Sequence, residues 1–305
     1  MKKKLTLNLL LLLLVAFLFF SLNLLAGSVH AYSNIENPER ELDTRNAKII
    51  WEDEVILVKG QASADENMTV GQRKLMSQRG ARTTAYSNAI EFLEGVQVDS
   101  STTVRDTLTT SANARSQAQG FVEGAIVVYE DFDRSHGISE VILEIPIDID
   151  DPFFQDLKRD SERETTRKVD VDESVQRVEE EIEKEVEEEI ETTDENYTGL
   201  IVDTRGLNIE PALYPQVFDY EGESIYDITQ VDLNNSEQNS LVAYSRSLDS
   251  AKNFDRIGDN PLVVEAVSEV EGQNTDVILN QEDSRQSQNI LENLYQNQGV
   301  IFIID

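Results

Sequence analysis

Gly80-Ala81-Arg82-Thr83-Thr84-Ala85-Tyr86-Ser87-Asn88-Ala89-Ile90-Glu91-Phe92-Leu93-Glu94-Gly95 decides the fold of the first half of the chain. It ends a helical pattern that starts near Val70, in which Leu75, Ala81, Ala85, Ala89, Phe92 and Leu93 fall at helical spacing. Gly95 stands where a helix C-cap belongs. Three alanines four residues apart make a flat strip, so this helix is expected to lie close on a sheet and to serve core packing rather than ligand binding.

Strands are expected on either side of the helix. Residues 54–62 alternate as a strand does, and residues 97–104 are β-branched with alternating polarity, as in an exposed strand. After a short Ala/Ser/Gln segment, residues 121–129 and 139–147 read as paired strands, joined by the turn Asp133-Arg134-Ser135-His136-Gly137. A strand, a long helix and several further strands give an α+β unit, an antiparallel sheet covered on one face by the helix.

Asp151-Pro152 closes that unit. Residues 152–196 are more than half charged, and Val171, Val175, Val178, Ile182, Val186 and Ile190 form one narrow apolar stripe within them. Its mean spacing of 3.8 exceeds the 3.5 of a coiled coil, so a solvated connecting helix is expected first and an oligomerising helix second. A second folded region opens at Tyr197. Strands are expected at 197–202, through 218–226, at 261–270 and at 275–279, with a helix over 281–296. Gly299-Val300-Ile301-Phe302-Ile303-Ile304-Asp305 suits a buried central strand. The fold class is therefore α+β: two small domains, each an antiparallel or mixed sheet packed on one or two helices, joined by a charged helical linker. The divisions are an export signal over 1–31, an α+β domain over 32–151, an acidic linker over 152–196 and a second α+β domain over 197–305.

Lys2, Lys3 and Lys4 lead into an apolar run that closes at Val29-His30-Ala31, the plan of an export signal. An uncleaved anchor formed by residues 5–25 is the competing expectation. Leu24-Leu25-Ala26-Gly27-Ser28 reads like a lipoprotein processing box with serine where the lipidated cysteine belongs.

The chain holds 59 acids and 26 bases; without the three leader lysines the net charge moves from −33 to −36. That disfavours nucleic acid and anionic lipid as partners. The acidic, lysine-poor composition points to adaptation to high salt, which predicts an unfolding midpoint that rises between low and molar salt. A flat midpoint would contradict it.

There are no cysteines, which excludes disulfides, thiol nucleophiles and cysteine-held zinc. Of two histidines, His30 lies in the signal and His136 in a turn, so neither a serine triad nor a histidine metal site is expected. Asp148, Asp150 and Asp151 start like a calcium loop, but Pro152-Phe153 follows where the loop needs its glycine. No phosphate-binding loop or dinucleotide fingerprint is present, and no cofactor is expected.

The best contact candidate is the loop Asp203, Thr204, Arg205, Gly206. Arg205 is one of five bases after residue 196, serving either an acidic partner or a turn pinned by a nearby carboxylate.

Residues 80–99, continuing from the quoted helix through Val96-Gln97-Val98-Asp99, resemble the helix-to-strand core of the LPP-20 lipoprotein family, and Phe121-Val122-Glu123-Gly124-Ala125 fits the same pattern. Tyr197-Thr198-Gly199-Leu200-Ile201-Val202-Asp203-Thr204-Arg205-Gly206-Leu207, with Gly258-Asp259-Asn260-Pro261-Leu262-Val263-Val264, is similar to a region accompanying such domains in bacterial envelope proteins. The resemblance covers most of 54–149 and 197–305. It implies a structural or assembly role in the envelope, in the manner of flagellar assembly proteins P and T, and carries over no catalytic residue. The expected partners are other envelope proteins or a second copy of the chain, with membrane contact only through an uncleaved N-terminal segment. An extracytoplasmic hydrolase working through paired carboxylates is the competing expectation, and a self-assembling scaffold is a third.

Overall fold

The computed structural model describes residues 35, 37–42, 44–148, 151–165, 168–171, 197–231 and 240–305. The leader over 1–31, with Ser28, and the apolar stripe from Val175 to Ile190 lie outside the described residues. Among the described residues no helix is long and apolar enough to cross a membrane.

After a short helix α1 (Pro38–Leu42), strands β1 (Ala47–Ile50) and β2 (Val55–Ser63) lead to helix α2 (Val70–Glu94). Thr69 and Gln72 form a reciprocal capping box at the start of α2, and the Gly95 N–H closes it on the Phe92 carbonyl at 3.0 Å. Ala81, Ala85 and Ala89 are fully buried, and the backbone of α2 reaches Gly60 of β2. A Cβ on Gly60 would overlap the Ala81 carbonyl oxygen and the Ala85 nitrogen and lie 2.8 Å from the Ala85 Cα. The alanine strip thus sets the helix directly on the strand.

Leu75, expected on the buried face, is 70% exposed. The buried line is Ser77, Ala81, Ala85 and Ala89, each four apart; six residues at about 100° each put Leu75 about 120° away from Ala81.

The segment after α2 departs from the expected strands at two places. Residues 97–104 are not an exposed strand: Val96 and Val98 are buried, Gln97 makes single bridges to Thr103 and Ala212, and helix α3 (Val104–Thr110) begins at once. Asp99 Oδ1 accepts the N–H groups of Ser101 and Thr102, each at 2.9 Å, and Thr103 with Asp106 forms a second capping box. Short polar side chains bond to the local backbone in place of a ladder. Residues 121–123 are the end of helix α4 (Ala112–Glu123), because Ala114, Ala118, Phe121 and Val122 bury one helical stripe. Strand β3 (Ile126–Asp133) starts later and pairs with β4 (Ile138–Pro146) through the expected turn at Gly137, whose φ of 70° suits glycine. The first sheet is antiparallel throughout, in the order β1-β2-β4-β3.

The linker over 152–196 begins as helix α5 (Pro152–Glu164), capped by Asp151. This part is packed rather than solvated. Phe153, Phe154 and Leu157 are buried, and Phe121 meets the two phenylalanine rings at 5.5 and 5.1 Å. Val169 is also buried, its N–H bonded to the Gly222 carbonyl at 2.9 Å.

The second sheet is mixed. Strands β5 (Gly199–Asp203), β6 (Val217–Phe218), β7 (Ser224–Tyr226), β8 (Ala243–Ser245), β9 (Pro261–Val270), β10 (Gln273–Leu279) and β11 (Val300–Ile303) take the order β7-β6-β10-β9-β5-β11-β8. The neighbours β9, β5, β11 and β8 are parallel. The strand expected through 218–226 is broken into β6 and β7 where Asp219 accepts the N–H groups of Glu221 and Glu223 and Gly222 takes a φ of 80°. Side chains of the parallel strands alternate between two cores. Ile201, Ile301 and Ile303 pack with Ala251 of helix α6 (Leu248–Ala251) and with Ile257, whereas Leu200, Val202, Val300 and Phe302 join the main core. The helix expected over 281–296 is two, α7 (Gln281–Gln288) and α8 (Leu291–Asn297), which return the chain from β10 to β11.

Residues 37–305 form one compact unit. The main core runs through both sheets, taking Ile56, Val58, Ala89 and Phe153 from the first half with Val217, Tyr226 and Phe302 from the second. Backbone bonds stitch the same seam: Leu213 N–H to the Gln97 carbonyl at 3.0 Å and Tyr214 N–H to the Val98 carbonyl at 2.8 Å.

Candidate contact groove

The loop singled out in the sequence lies at the carboxyl end of β5. Asp203 receives the Arg205 guanidinium from two nitrogens, Nε at 2.9 Å and Nη2 at 2.5 Å, which holds its carboxyl below the usual range. Thr204 is buried and donates its hydroxyl to the Ile303 carbonyl at 2.8 Å. Gly206, with φ of 87°, donates its N–H to Asp305 Oδ2 at 3.0 Å. The structure thus brings all four residues together as a turn pinned to the end of β11. An exposed pair of this kind adds little to stability, because solvent screens it.

The other sequence candidates are local. His136 sits exposed in its turn with Nδ1 2.5 Å from Asp133 Oδ2, and the Ser135 and His136 bonds hold the Asp133 carboxyl well below the usual range. Asp151 accepts the Phe153 N–H at 2.8 Å as a helix cap, and Asp150 lies outside the described residues. Among the described residues no three His, Cys, Asp or Glu side chains come together as a metal site.

A larger feature lies beside the pinned loop. Open α/β sheets bind their ligands outside the carboxyl ends of parallel strands. At that end of β8 and β11, Tyr244, Ser245, Arg246 and Ile304 face β1 and the last turn of α2 across a groove of ≈ 710 Å³. Arg246 Nη1 donates to the Asp305 carbonyl at 3.2 Å, so the Asp203–Arg205 turn and the groove wall share an anchor. Both β1 and β8 are end strands of their sheets, so the groove is bordered by one sheet edge from each half. Its apolar floor is built around Trp51, whose ring stands 4.9 Å from that of Tyr244, which in turn packs edge-on against Phe302 at 5.8 Å. The Tyr244 hydroxyl is fixed by both backbone groups of Ala212, at 2.9 and 3.0 Å, and burial pushes its pKa far up.

The polar rim carries both signs: Arg45, Lys48 and Arg246 together with Glu52, Glu91 and Glu210. Lys48 holds Glu41 at 3.0 Å; burial, then the neighbouring Asp53, raises the Glu52 carboxyl. A second cavity of ≈ 490 Å³ adjoins the first through Trp51, Glu52 and Ser250 and ends at Arg256. Arg256 is buried and its Nη2 lies 2.9 Å from Glu54 Oε1 and 3.1 Å from both the carbonyl and the hydroxyl of Ser240. Apolar floor, an end strand from each sheet and a mixed-charge rim make a surface suited to an extended protein segment.

Sequence reading did not find the groove. Its one local signal is Trp51, the sole tryptophan, set in the polar run Trp51-Glu52-Asp53-Glu54.

Residues 199–305 match the model of a family described as Treponema pallidum Tp0624, second domain. The match covers about a third of the chain and spans the mixed sheet from the first residue of β5. No curated protein matches the chain.

Proposed function

We propose that this is an exported, non-enzymatic protein of the bacterial cell envelope that acts in structure or assembly through protein–protein contacts, with a flagellum- or outer-membrane-associated role as the sharper form. The groove between β1 and β8 carries this reading. The carboxylates that line the two cavities favour it over a hydrolase: Glu52, Glu91, Glu210 and Asp255 are exposed, and Glu54 is committed to Arg256. The deeply buried Asp276 and Asp99 line neither cavity. Glu52, whose carboxyl is raised, stands exposed, and an acid–base pair needs a second carboxylate held against it in a closed site. The leader and the LPP-20 resemblance support the location, and the Tp0624 match adds a second domain drawn from a bacterial protein.

Photo-crosslinking tests the proposal. With p-benzoylphenylalanine in place of Glu91 at the groove, or of Arg163 on the exposed side of α5, cells that make the protein are irradiated and the adducts sized. The expected result is a discrete adduct from position 91, to an envelope protein or a second copy, and none from position 163. Absence of an adduct at position 91 would contradict it.

A further inference from the structure

The seam between the two halves contains an anomaly that the groove does not use. Asp276 on β10 is completely buried; its Oδ1 accepts the Gln216 N–H at 3.0 Å and the Thr275 hydroxyl at 2.9 Å, while its Oδ2 has no hydrogen-bond partner. Asp99, in the turn after α2, repeats the pattern. It is 7% exposed, its Oδ1 accepts three donors from Ser101 and Thr102, and its Oδ2 has no partner. The two lie on opposite sides of the seam, close enough that Asp99 acts electrostatically on Asp276, with the Ser100 hydroxyl directed at the same carboxylate.

An ionised Asp276 is costly here, since it is removed from bulk water and its charged neighbour is the Asp99 carboxylate rather than a cation. Among the described residues no Lys, Arg or His forms an ion pair with either. The other titratable group facing Asp276 is the Tyr244 phenol of β8, which stays protonated and donates to Ala212. A proton on Asp276 removes one charge and supplies the missing donor.

We propose that Asp276 and Asp99 form a proton-operated latch on the seam, which holds the pairing of Gln97 and Val98 with Leu213 and Tyr214 when Asp276 is protonated and loosens it when the proton leaves. The position fits: the Asp276 carboxylate binds the Gln216 N–H, two residues beyond Tyr214, and Asp99 follows Val98 directly. Burial pushes the Asp276 carboxyl up to about 6, from an ordinary value of 3.8. Because the folded value exceeds the unfolded one, the folded state holds the proton more tightly. The stabilisation is fully present below about 3.8 and is lost as pH rises from there through about 6.

The test is amide hydrogen exchange on the full chain at pH 5 and pH 7.5, corrected for intrinsic exchange rates and read at Leu213 and Tyr214. Protection should fall about tenfold between the two pH values in the wild type. In Asp276→Asn, which carries a neutral donor at the same place, protection should be independent of pH and higher than wild type at pH 7.5. Should the variant fail to fold, carboxyl carbon NMR of the wild type decides: Asp276 titrating near 6 in step with the loss of protection at Leu213 and Tyr214 upholds the latch, and titrating near 4 overturns it. Wild-type protection that does not change with pH would also overturn it. Recovery at pH 7.5 on adding calcium chloride would replace the proton with a cation and overturn it too.

Discussion

Gly60→Val should destabilise the protein by about 3 kcal/mol or more, the upper end of overpacking costs, measured by urea unfolding. The reason is what the new Cβ would meet. Its neighbours are the Ala81 carbonyl and the Ala85 backbone of α2, not the ends of flexible side chains, so nothing small can move aside. Either α2 lifts from β2, exposing Ala81, Ala85 and the Val141–Leu143 cluster beneath, or the strand bends away. Gly71→Ala is the control. It adds a methyl to the same helix with nothing within 4 Å, and should stabilise by about 0.5–1 kcal/mol. A Gly60→Val protein within about 0.5 kcal/mol of wild type would mean that the strip does not rest on the strand.

The second large effect is expected at the ion pair across the halves. Arg256→Met should cost about 3–5 kcal/mol, because it strands a carboxylate that the fold has partly removed from water. Arg256 Nη2 reaches Glu54, 202 positions away in the chain, and Ser240 completes the contact on both sides: its carbonyl and hydroxyl accept from the arginine, and its hydroxyl donates to Glu54 at 3.1 Å. Burial depresses the guanidinium pKa and Glu54 offsets that effect, so the pair is held by mutual need. Glu54→Gln in the Arg256→Met background should recover most of the loss, since no uncompensated charge then remains. Additive losses in the double variant would show that the two side chains act separately.

Elements whose cause lies inside one segment could be read directly from the chain. The i, i+4 alanines gave α2 and its close approach, residues 261–270 gave β9 with the same bounds, and the apolar run at the end gave β11, flanked by β5 and β8. Where short polar residues compete for the backbone, the reading failed. The Asp99 and Thr103 side chains turn residues 97–104 into a turn and a helix start, although their β-branched content suggests a strand. The acidic linker misled in another way, because its high charge hides Phe153, Phe154 and Leu157 on one buried face of α5. Arg205 with Asp203 was visible because the partners are two residues apart. The groove and the seam were not, since Trp51, Phe92 and Tyr244, or Asp99 and Asp276, are brought together only by the packing of one half on the other.

Gly95 offers the most direct check of the groove as a contact surface. It lines the groove, its φ of −85° suits any residue, and a Cβ there would meet only the Phe92 carbonyl, at 3.4 Å. Gly95→Trp should therefore fill the groove and leave the unfolding midpoint near that of the wild type. The measurement is the crosslinking yield from position 91 in this background. Loss of the adduct with the fold intact is the predicted result; an undiminished adduct would contradict the assignment of the groove to a partner.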